Sequence, residues 1–229
     1  MRFTRSIMNF PDILLPSTLL WVANGLALGV IVLAVRLAPW RMLQRPGLQN
    51  LCMGAAVALM LVWSIKAGVR PGLDFHLLGG TLLTLMFGPW LALAVLAIVL
   101  LAVTISGAAG WGSLGINFLL MATLPVLLSH VIFRIADSRL PNHLFVYIFV
   151  NAFLGAGLAM VSCGLAAVTV LSSAGAYSSN YLGTQYLPYF ILMGWSEAML
   201  TGMLITLLVV YRPDWVSTFN DERYLKTKP

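Results

Sequence analysis

Two long stretches of this chain contain no aspartate, glutamate, lysine or arginine. The first lies between Phe75 and Phe133, and the second runs from Leu140 to Ser196. Soluble domains do not sustain charge-free stretches of this length, whereas the core of a bilayer excludes charge. The chain is therefore predicted to cross a membrane several times. The few ionisable groups inside its apolar spans are the first places to look for function.

Composition agrees with this reading and sets the number of crossings. Of the 229 residues, 60% are hydrophobic and 9% are charged. A chain of this length has room for about seven helices at roughly 20 residues per crossing. The net charge of +6 is spread thinly over short loops, which indicates a topology signal and not nucleic-acid binding. We predict an all-α membrane helical bundle that forms a single transmembrane domain over residues 1–229.

Apolar runs and helix breakers place the spans. The dipeptide Gly88-Pro89 breaks a helix, so a turn or kink is expected between the third and fourth spans. The third span is also short for a bilayer. The predicted spans are Ser17–Val35, Leu48–Lys66, His76–Phe87, Trp90–Ser106, Ser113–Phe133, Leu144–Leu171 and Tyr186–Tyr211.

The distribution of lysine and arginine predicts the orientation. With the N-terminus outside, nine of these residues lie on the inner side and four on the outer side, which favours this topology over its inverse. A count of six spans would undo this inference. Residues 1–16 are then an extended outer segment, the uncharged loop Ser172–Gln185 is a flexible outer cap, and residues 212–229 form a cytoplasmic tail. The location expected is the inner (plasma) membrane.

His76 is the first candidate for chemistry, at the predicted outer start of the third span. A neutral imidazole is a good ligand for nickel, copper, zinc or cobalt. Gly79 and Gly80 follow one turn later, where missing side chains let another backbone approach. The same residues also fit an interfacial histidine that is hydrogen-bonded to a carbonyl group and has only a structural role.

Glu197 lies near the middle of the last span, where a carboxylate needs donors or a buried, inward-facing position. It is predicted to attract a cation or relay a proton, or alternatively to pin two helices together. It is expected deeper in the membrane than His76. Asn117 lies at the start of the fifth span. Its side-chain amide could form a hydrogen bond between helices, or it could orient a metal ligand without touching the metal itself.

Small residues at four-residue spacing mark the first span as a site of close helix packing. Ala23 and Ala27 form one such pair, and Gly25 and Gly29 form another. The contact is expected either within the bundle or with a second membrane protein. Cys52 and Cys163 lie in apolar runs and are predicted to be small core residues.

Several catalytic and nucleotide-binding motifs are missing from the sequence. There is no phosphate-binding glycine loop with its lysine, no Ser/His/Asp set and no His-Glu-x-x-His run. His76 and Glu197 are predicted at different depths and have no nucleophile beside them, which argues against an intramembrane enzyme. The chain is therefore not expected to be an enzyme.

Five motifs together resemble the CbiM/NikM-type membrane subunits of energy-coupling-factor transporters for cobalt and nickel. They keep their order and span most of the chain from about Phe10 onward. The motifs are Gly72-x-x-x-His76-Leu77-Leu78-Gly79-Gly80, Phe87-Gly88-Pro89-Trp90, Leu114-Gly115-Ile116-Asn117, Gly194-x-x-Glu197-x-x-Leu200-Thr201 and Arg212-Pro213-Asp214.

The resemblance implies a divalent metal captured at the outer face. It also implies two kinds of protein partner, a second transmembrane coupling subunit and cytoplasmic ATPase subunits. The chain is expected to contact the lipid bilayer and not to bind nucleic acid. In this family the N-terminal segment enters the bundle and supplies the terminal amine and a histidine, and the histidine of the third span completes the set. That last ligand corresponds to His76. No cofactor is expected to be permanently bound; the transported nickel or cobalt ion is the substrate.

The N-terminal ligands depart from the family pattern. The family opens roughly Met-His-Ile-Pro-Asp-Gly, and the corresponding run here is Met8-Asn9-Phe10-Pro11-Asp12-Ile13. Asn9 stands where the histidine is expected and becomes the second candidate ligand, with Asp12 near it, and Leu120 replaces a second family asparagine. Translation from Met8 would restore a free amine beside Asn9. Two functions stay open: the capturing subunit of an energy-coupled importer, or a non-transporting membrane protein on the same scaffold with a degenerate metal site.

Overall fold

Helices account for nearly all of the regular structure. The computed structural model describes residues 14–65, 67–68 and 74–225. The α-helices are α1 (Ser17–Leu37), α2 (Leu48–Ser64), α3 (Gly80–Phe87), α4 (Pro89–Ile105), α5 (Leu114–Phe118), α6 (Leu124–Arg139), α7 (Leu144–Val146), α8 (Gly155–Ser173), α9 (Ser179–Gln185), α10 (Leu187–Tyr211) and α11 (Asp221–Tyr224).

Shorter elements connect these helices. Two π-helical segments make α5–α6 and α7–α8 continuous, and two 3-10 helices follow α1 and α10. The two-residue strands β1 and β2 pair in antiparallel fashion between α2 and α3. The bounds are Leu119–Thr123 and Tyr147–Leu154 for the π-helices, Trp40–Gln44 and Pro213–Trp215 for the 3-10 helices, and Ala67–Gly68 and Asp74–Phe75 for β1 and β2.

Six of the seven predicted spans are helices of membrane-crossing length. Among the described residues, four helical segments are long and apolar enough to cross a bilayer: Ser17–Leu37, Leu114–Arg139, Leu144–Ser173 and Ser179–Tyr211. The helices α2 and α4 have 17 residues each, which is near the lower limit for a crossing. The prediction of an all-α membrane bundle is confirmed.

The third predicted span is wrong as a continuous helix. Its helical part, α3, has only eight residues and is about 12 Å long at the α-helical rise. The four residues before it, His76–Gly79, are not helical. The expected break at its other end is confirmed, because Gly88 has a φ of 79° and Pro89 opens α4. The third span is therefore a half-helix preceded by irregular chain.

The loop between α8 and α10 is more regular than predicted. Instead of a flexible cap throughout, it contains α9, whose first turn is capped by the Ser178 hydroxyl accepting from the Tyr181 amide at 3.3 Å. Such a cap satisfies one of the amide groups that a helix start leaves open. The uncharged serine and asparagine residues of this loop are thus helix-starting residues as well as loop residues.

The C-terminal tail folds back onto the end of α3. The amides of Ser217 and Thr218 donate to the carbonyl oxygens of Met86 and Leu85 at 3.0 and 3.3 Å. The Thr218 hydroxyl also donates to the Leu85 carbonyl oxygen at 2.8 Å. A hydroxyl group has one hydrogen to donate, so in its 2.6 Å bond with buried Tyr147 the Thr218 oxygen accepts and the Tyr147 hydroxyl donates. The C-terminal ends of α3 and α10 therefore lie at the same end of the bundle.

A second set of contacts joins the tail to the end of α6. Arg223 forms an ion pair of 2.7 Å with Asp137, and the Tyr224 hydroxyl donates to the same carboxylate at 3.2 Å. Burial and the neighbouring Asp137 raise the pKa of Tyr224 to about 12, which keeps the phenol protonated and able to donate. The predicted polar tail is thus docked on the bundle as far as residue 225.

The two small-residue pairs of α1 face different surroundings. Ala23 and Ala27 are buried within the bundle, where α1 packs against α4 and α5. Gly25 and Gly29 face outward, and a Cβ atom built on either would have no neighbour within 4 Å. Of the predicted stripe, the alanine pair therefore contributes to packing inside this chain. Cys52 and Cys163 are buried free thiols, as expected for core residues.

Asn24 fastens α1 to the start of α5. Its side-chain amide donates to the Gly112 carbonyl at 2.7 Å, and its carbonyl oxygen accepts from the Gly115 amide at 2.7 Å. The backbones approach so closely that a Cβ atom on Gly115 would lie 2.5 Å from the Asn24 Cα atom. Small residues permit such close helix contacts in membranes, and amide side chains hydrogen-bond across them.

We expect Thr218→Val to lower the thermal stability of the purified protein in detergent. The change leaves the hydroxyl of buried Tyr147 without its acceptor, at a cost of about 1–3 kcal/mol. Thermal unfolding followed by circular dichroism measures the effect. Thr169→Val is the matched control, because Thr169 is exposed and its hydroxyl, among the described residues, donates to the Leu165 carbonyl of its own helix. Equal unfolding temperatures for the two variants would contradict the docking of the tail.

We expect Gly115→Ala to destabilise the bundle by about 1–3 kcal/mol, as for other overpacked contacts. The added methyl group collides with the backbone of Asn24 and forces α1 away from α5. Gly29→Ala is the matched control, since its methyl group meets open space and alanine favours the helix. The same thermal unfolding assay compares the two. A loss of stability in the control that equals the loss in Gly115→Ala would contradict this packing.

Candidate functional site

The irregular segment His76–Gly79, here called the His76 turn, lies between β2 and α3. Gly79 ends it in the left-handed region, with a φ of 68° and a ψ of 2°. A Cβ atom at this position would collide with the side chain of Leu59. The left-handed backbone conformation therefore favours glycine, and a larger residue would also displace the Leu59 side chain. Because the chain is not helical here, its polar backbone groups need partners from elsewhere in the bundle.

His76 is buried in this turn with a defined ring orientation. Its side chain is 3% exposed, and its Nδ1 atom lies 2.8 Å from the carbonyl oxygen of Leu77. A carbonyl oxygen only accepts hydrogen bonds, so Nδ1 carries the proton of the neutral ring and Nε2 carries the lone pair. Trp63 packs over the imidazole with ring centroids 4.5 Å apart.

Two side chains from distant parts of the sequence hold the backbone of the turn. The Trp63 indole N–H donates to the Leu78 carbonyl at 3.2 Å. The Glu197 carboxylate accepts from two successive amides, Leu78 at 2.9 Å and Gly79 at 2.7 Å. All of these groups are buried. The turn is thus anchored to α2 on one side and to α10 on the other.

The predicted difference in depth between His76 and Glu197 is wrong. Glu197 is ten residues past the first residue of α10, about 15 Å along a helix of 25 residues. Its bonds to Leu78 and Gly79 bring the His76 turn to that same level.

Aromatic side chains close the side of the turn that faces the start of α10. Phe75 is buried against Tyr186, Tyr189 and Phe190, with ring centroids 5.2, 5.3 and 5.3 Å apart. Such rings exclude water and lower the local polarity. Electrostatic interactions around His76 are therefore stronger than they would be in an open aqueous cleft.

The other predicted site residues lie elsewhere or outside the described residues. Asn117 is fully buried in α5, and its side-chain amide donates to the Ser113 hydroxyl at 3.4 Å. Asn9 and Asp12 belong to residues 1–13, outside the part of the chain that the structure describes. Their predicted roles stay predictions.

Trp63 and Asn24 are the contributors that the sequence interpretation missed. Trp63 ends an apolar helix, where a tryptophan usually indicates an anchor at the membrane surface. Its burial and its bond to Leu78 are decided by tertiary packing. Asn24 gave a readable signal, because an amide within an apolar span needs partners.

The described residues supply one strong metal ligand at this point and no complete site. Among residues 14–65, 67–68 and 74–225, no group of three or more histidine, cysteine, aspartate or glutamate side chains is arranged to hold a metal ion. Imidazole nitrogen suits nickel, copper and zinc. The His76 turn can therefore present one nitrogen ligand.

Four of the five motifs noted in the sequence lie at the ends of α3 or lead to contacts there. The first forms the His76 turn and the start of α3, and the fourth carries Glu197, which binds that turn. The second forms the break after α3, and the fifth leads into the tail that binds Leu85 and Met86. The third holds Gly115, the contact of Asn24 with α5. Motifs far apart in sequence therefore contribute to one structural unit.

Comparison with known proteins identifies the family. Residues 9–215 match the CbiM family, described as the cobalt uptake substrate-specific transmembrane region. A probable fused nickel transport protein, LarMN, of Lactiplantibacillus plantarum is 26% identical over 158 residues, which are 64% of this chain and 48% of that protein. The chain thus spans about half the length of this relative.

Two solved structures share the fold. The crystal structure of a truncated transition metal transporter has a TM-score of 0.75 at 18% identity, over 89% of this chain and 99% of that one. A second transition metal transporter structure has a TM-score of 0.73 at 19% identity, over 88% and 92%. With the match over residues 9–215, the chain belongs to the CbiM family of multi-pass membrane components of metal uptake, and is not an enzyme.

Proposed function

We propose that the chain captures a divalent nickel or cobalt ion at the outer side of the membrane for an energy-coupled importer. His76 is the ligand that the described residues provide. The observation that carries this proposal is the bond between His76 Nδ1 and the Leu77 carbonyl. Histidines that bind metals commonly donate their other ring N–H to a carbonyl or carboxylate, which fixes the ring and directs the second nitrogen at the metal.

The remaining ligands are assigned to the N-terminal segment. A set of three or more protein donors is absent among the described side chains, so His76 alone does not complete a site. Asn9 stands at the position of the family histidine, and Asp12 follows it. An amide oxygen is a weaker ligand for nickel than an imidazole. We therefore propose a site of His76 and Asn9, with Asn117, Glu197 and Asp12 outside the first coordination shell or along the ion's path.

The partners proposed are a second membrane subunit and cytoplasmic ATPases. The chain has no phosphate-binding glycine loop of its own, so ATP hydrolysis belongs to other chains. The proposed orientation, with the N-terminus outside, rests on the nine-to-four distribution of lysine and arginine. In that orientation, the end of the bundle that carries the docked tail faces the cytoplasm and the ATPases.

Asn9 favours one alternative function. A protein on this scaffold that has lost a ligand would bind little metal and act as a membrane binding or structural protein. Titration of the purified chain with nickel and cobalt discriminates the two functions. Micromolar binding that depends on His76 supports capture, and its absence supports the alternative. Chains that begin at Met1 and at Met8 are compared, because an amine next to Asn9 adds a nitrogen ligand.

We expect His76→Ala to reduce nickel and cobalt accumulation at least about tenfold in cells that express the partner subunits, because the change removes the only strong ligand of the turn. Elemental analysis of washed cells measures the accumulated metal. His143→Ala is the matched control, since His143 is exposed and caps α7 by accepting from the Phe145 amide. Accumulation that is the same in His76→Ala and in wild type would exclude the proposed role.

A further inference from the structure

The pairing of Glu197 with two backbone amides defines a role for this residue that the proposed capture site leaves open. Glu197 is 2% exposed, in the middle of α10. Within the described part of the chain it forms no ion pair with a lysine or arginine, and both of its oxygens accept from the His76 turn. A buried carboxylate needs such donors, and here they come from a segment more than 100 residues away.

The two amides belong to peptide groups that are also bonded on their opposite sides. The Leu77 carbonyl, which accepts from His76 Nδ1, is in the same peptide group as the Leu78 amide, which donates to Glu197 Oε2. The Leu78 carbonyl, which accepts from Trp63, is in the same peptide group as the Gly79 amide, which donates to Glu197 Oε1. In a trans peptide group the two polar atoms point in opposite directions.

This arrangement connects the imidazole to the carboxylate through a single peptide group. The His76 Nδ1–H group donates to the Leu77 carbonyl oxygen, and the Leu78 N–H group of the same peptide group donates to the Glu197 carboxylate. Hydrogen bonds in such a chain polarise one another, so a negative charge at its end strengthens the bond at its start. A stronger bond at Nδ1–H fixes the tautomer and increases the electron density at Nε2.

We propose that Glu197 is a positioning residue that sets the orientation and the donor strength of His76 through the Leu77–Leu78 peptide group. Glu197 does not touch the ion. It acts as the carboxylate partner of a metal-binding histidine does, with a peptide group between the two. The consequence for metal affinity rests on the proposed function, whereas the effect on the imidazole ring does not.

Glu197→Gln separates this role from simple packing. Glutamine keeps the size of the side chain but has one oxygen and one NH₂ group. One of the two amides of the turn then faces a donor, and the negative charge is lost. Glu197→Asp keeps both oxygens and the charge on a side chain shorter by one bond of about 1.5 Å. Thr206→Val is the control on the same helix, because within the described part of the chain the Thr206 hydroxyl bonds to the Gly202 carbonyl of its own helix.

The first measurement is nickel and cobalt binding to the full-length chain in detergent, by titration calorimetry. Glu197→Gln is expected to weaken binding about 10- to 100-fold, the range found when outer partners of metal ligands are removed. Glu197→Asp is expected to recover part of the loss, and Thr206→Val to bind like wild type. If Glu197→Gln changes only the unfolding temperature and binds metal as wild type does, the positioning role is overturned.

The second measurement uses no metal. The chain has three histidines, so ¹⁵N-histidine spectra are simple, and His76→Asn assigns the His76 signals. Wild type is expected to show the Nδ1–H tautomer of His76, and Glu197→Gln a shift away from it. Ring signals that do not differ between the two overturn the proposal. If Glu197→Gln does not fold, Glu197→Asp is used, with a smaller shift expected and no shift again overturning the proposal.

The two measurements separate the failure of this proposal from the failure of the capture function. If wild type binds neither nickel nor cobalt, the capture function is wrong, and the metal-free spectra still decide whether Glu197 sets the His76 ring. If wild type binds through His76 while Glu197→Gln leaves both affinity and ring signals unchanged, capture stands and the positioning role is rejected.

Discussion

Two successive peptide groups, Leu77–Leu78 and Leu78–Gly79, are hydrogen-bonded on both of their sides, and the interior of the bundle is built around them. Non-helical backbone inside a membrane needs partners for every amide and carbonyl, because hydrocarbon offers none. Glu197 meets this requirement on the amide side, and His76 and Trp63 meet it on the carbonyl side. The burial of Glu197 and His76 inside otherwise apolar spans is therefore explained by the break in one helix.

The half-helix α3 connects this turn to the opposite end of the bundle. Glu197 holds the chain just before α3, and the tail holds the last turn through Leu85 and Met86. At about 12 Å, α3 is too short to cross a bilayer, so its position depends on these contacts at its two ends and on its packing against α4 and α6. Through α3, the docked tail and the His76 turn thus belong to one continuous set of contacts.

The family match and the structure explain different parts of the metal chemistry. The family assigns metal uptake, and the structure shows how one imidazole is buried, oriented and provided with a lone pair. Asn9 replaces a stronger ligand in the segment expected to complete the site. A His76 ring made more electron-rich by Glu197 would partly offset that loss.

The sequence by itself determined the membrane class, five of the seven spans to within two residues at each end, the start of the fifth span and the break at Gly88-Pro89. These features follow from local composition, because a bilayer imposes length and polarity on each span separately. It also singled out His76 and Glu197, since ionisable groups are rare in such spans. It did not predict that the two meet, that Trp63 is buried against His76, or that Thr218 binds α3. Those contacts join residues up to 133 positions apart, and they depend on how a short irregular segment lies among the helices. Only the tertiary structure decides that, because each hydrogen bond depends on the positions of two elements at once.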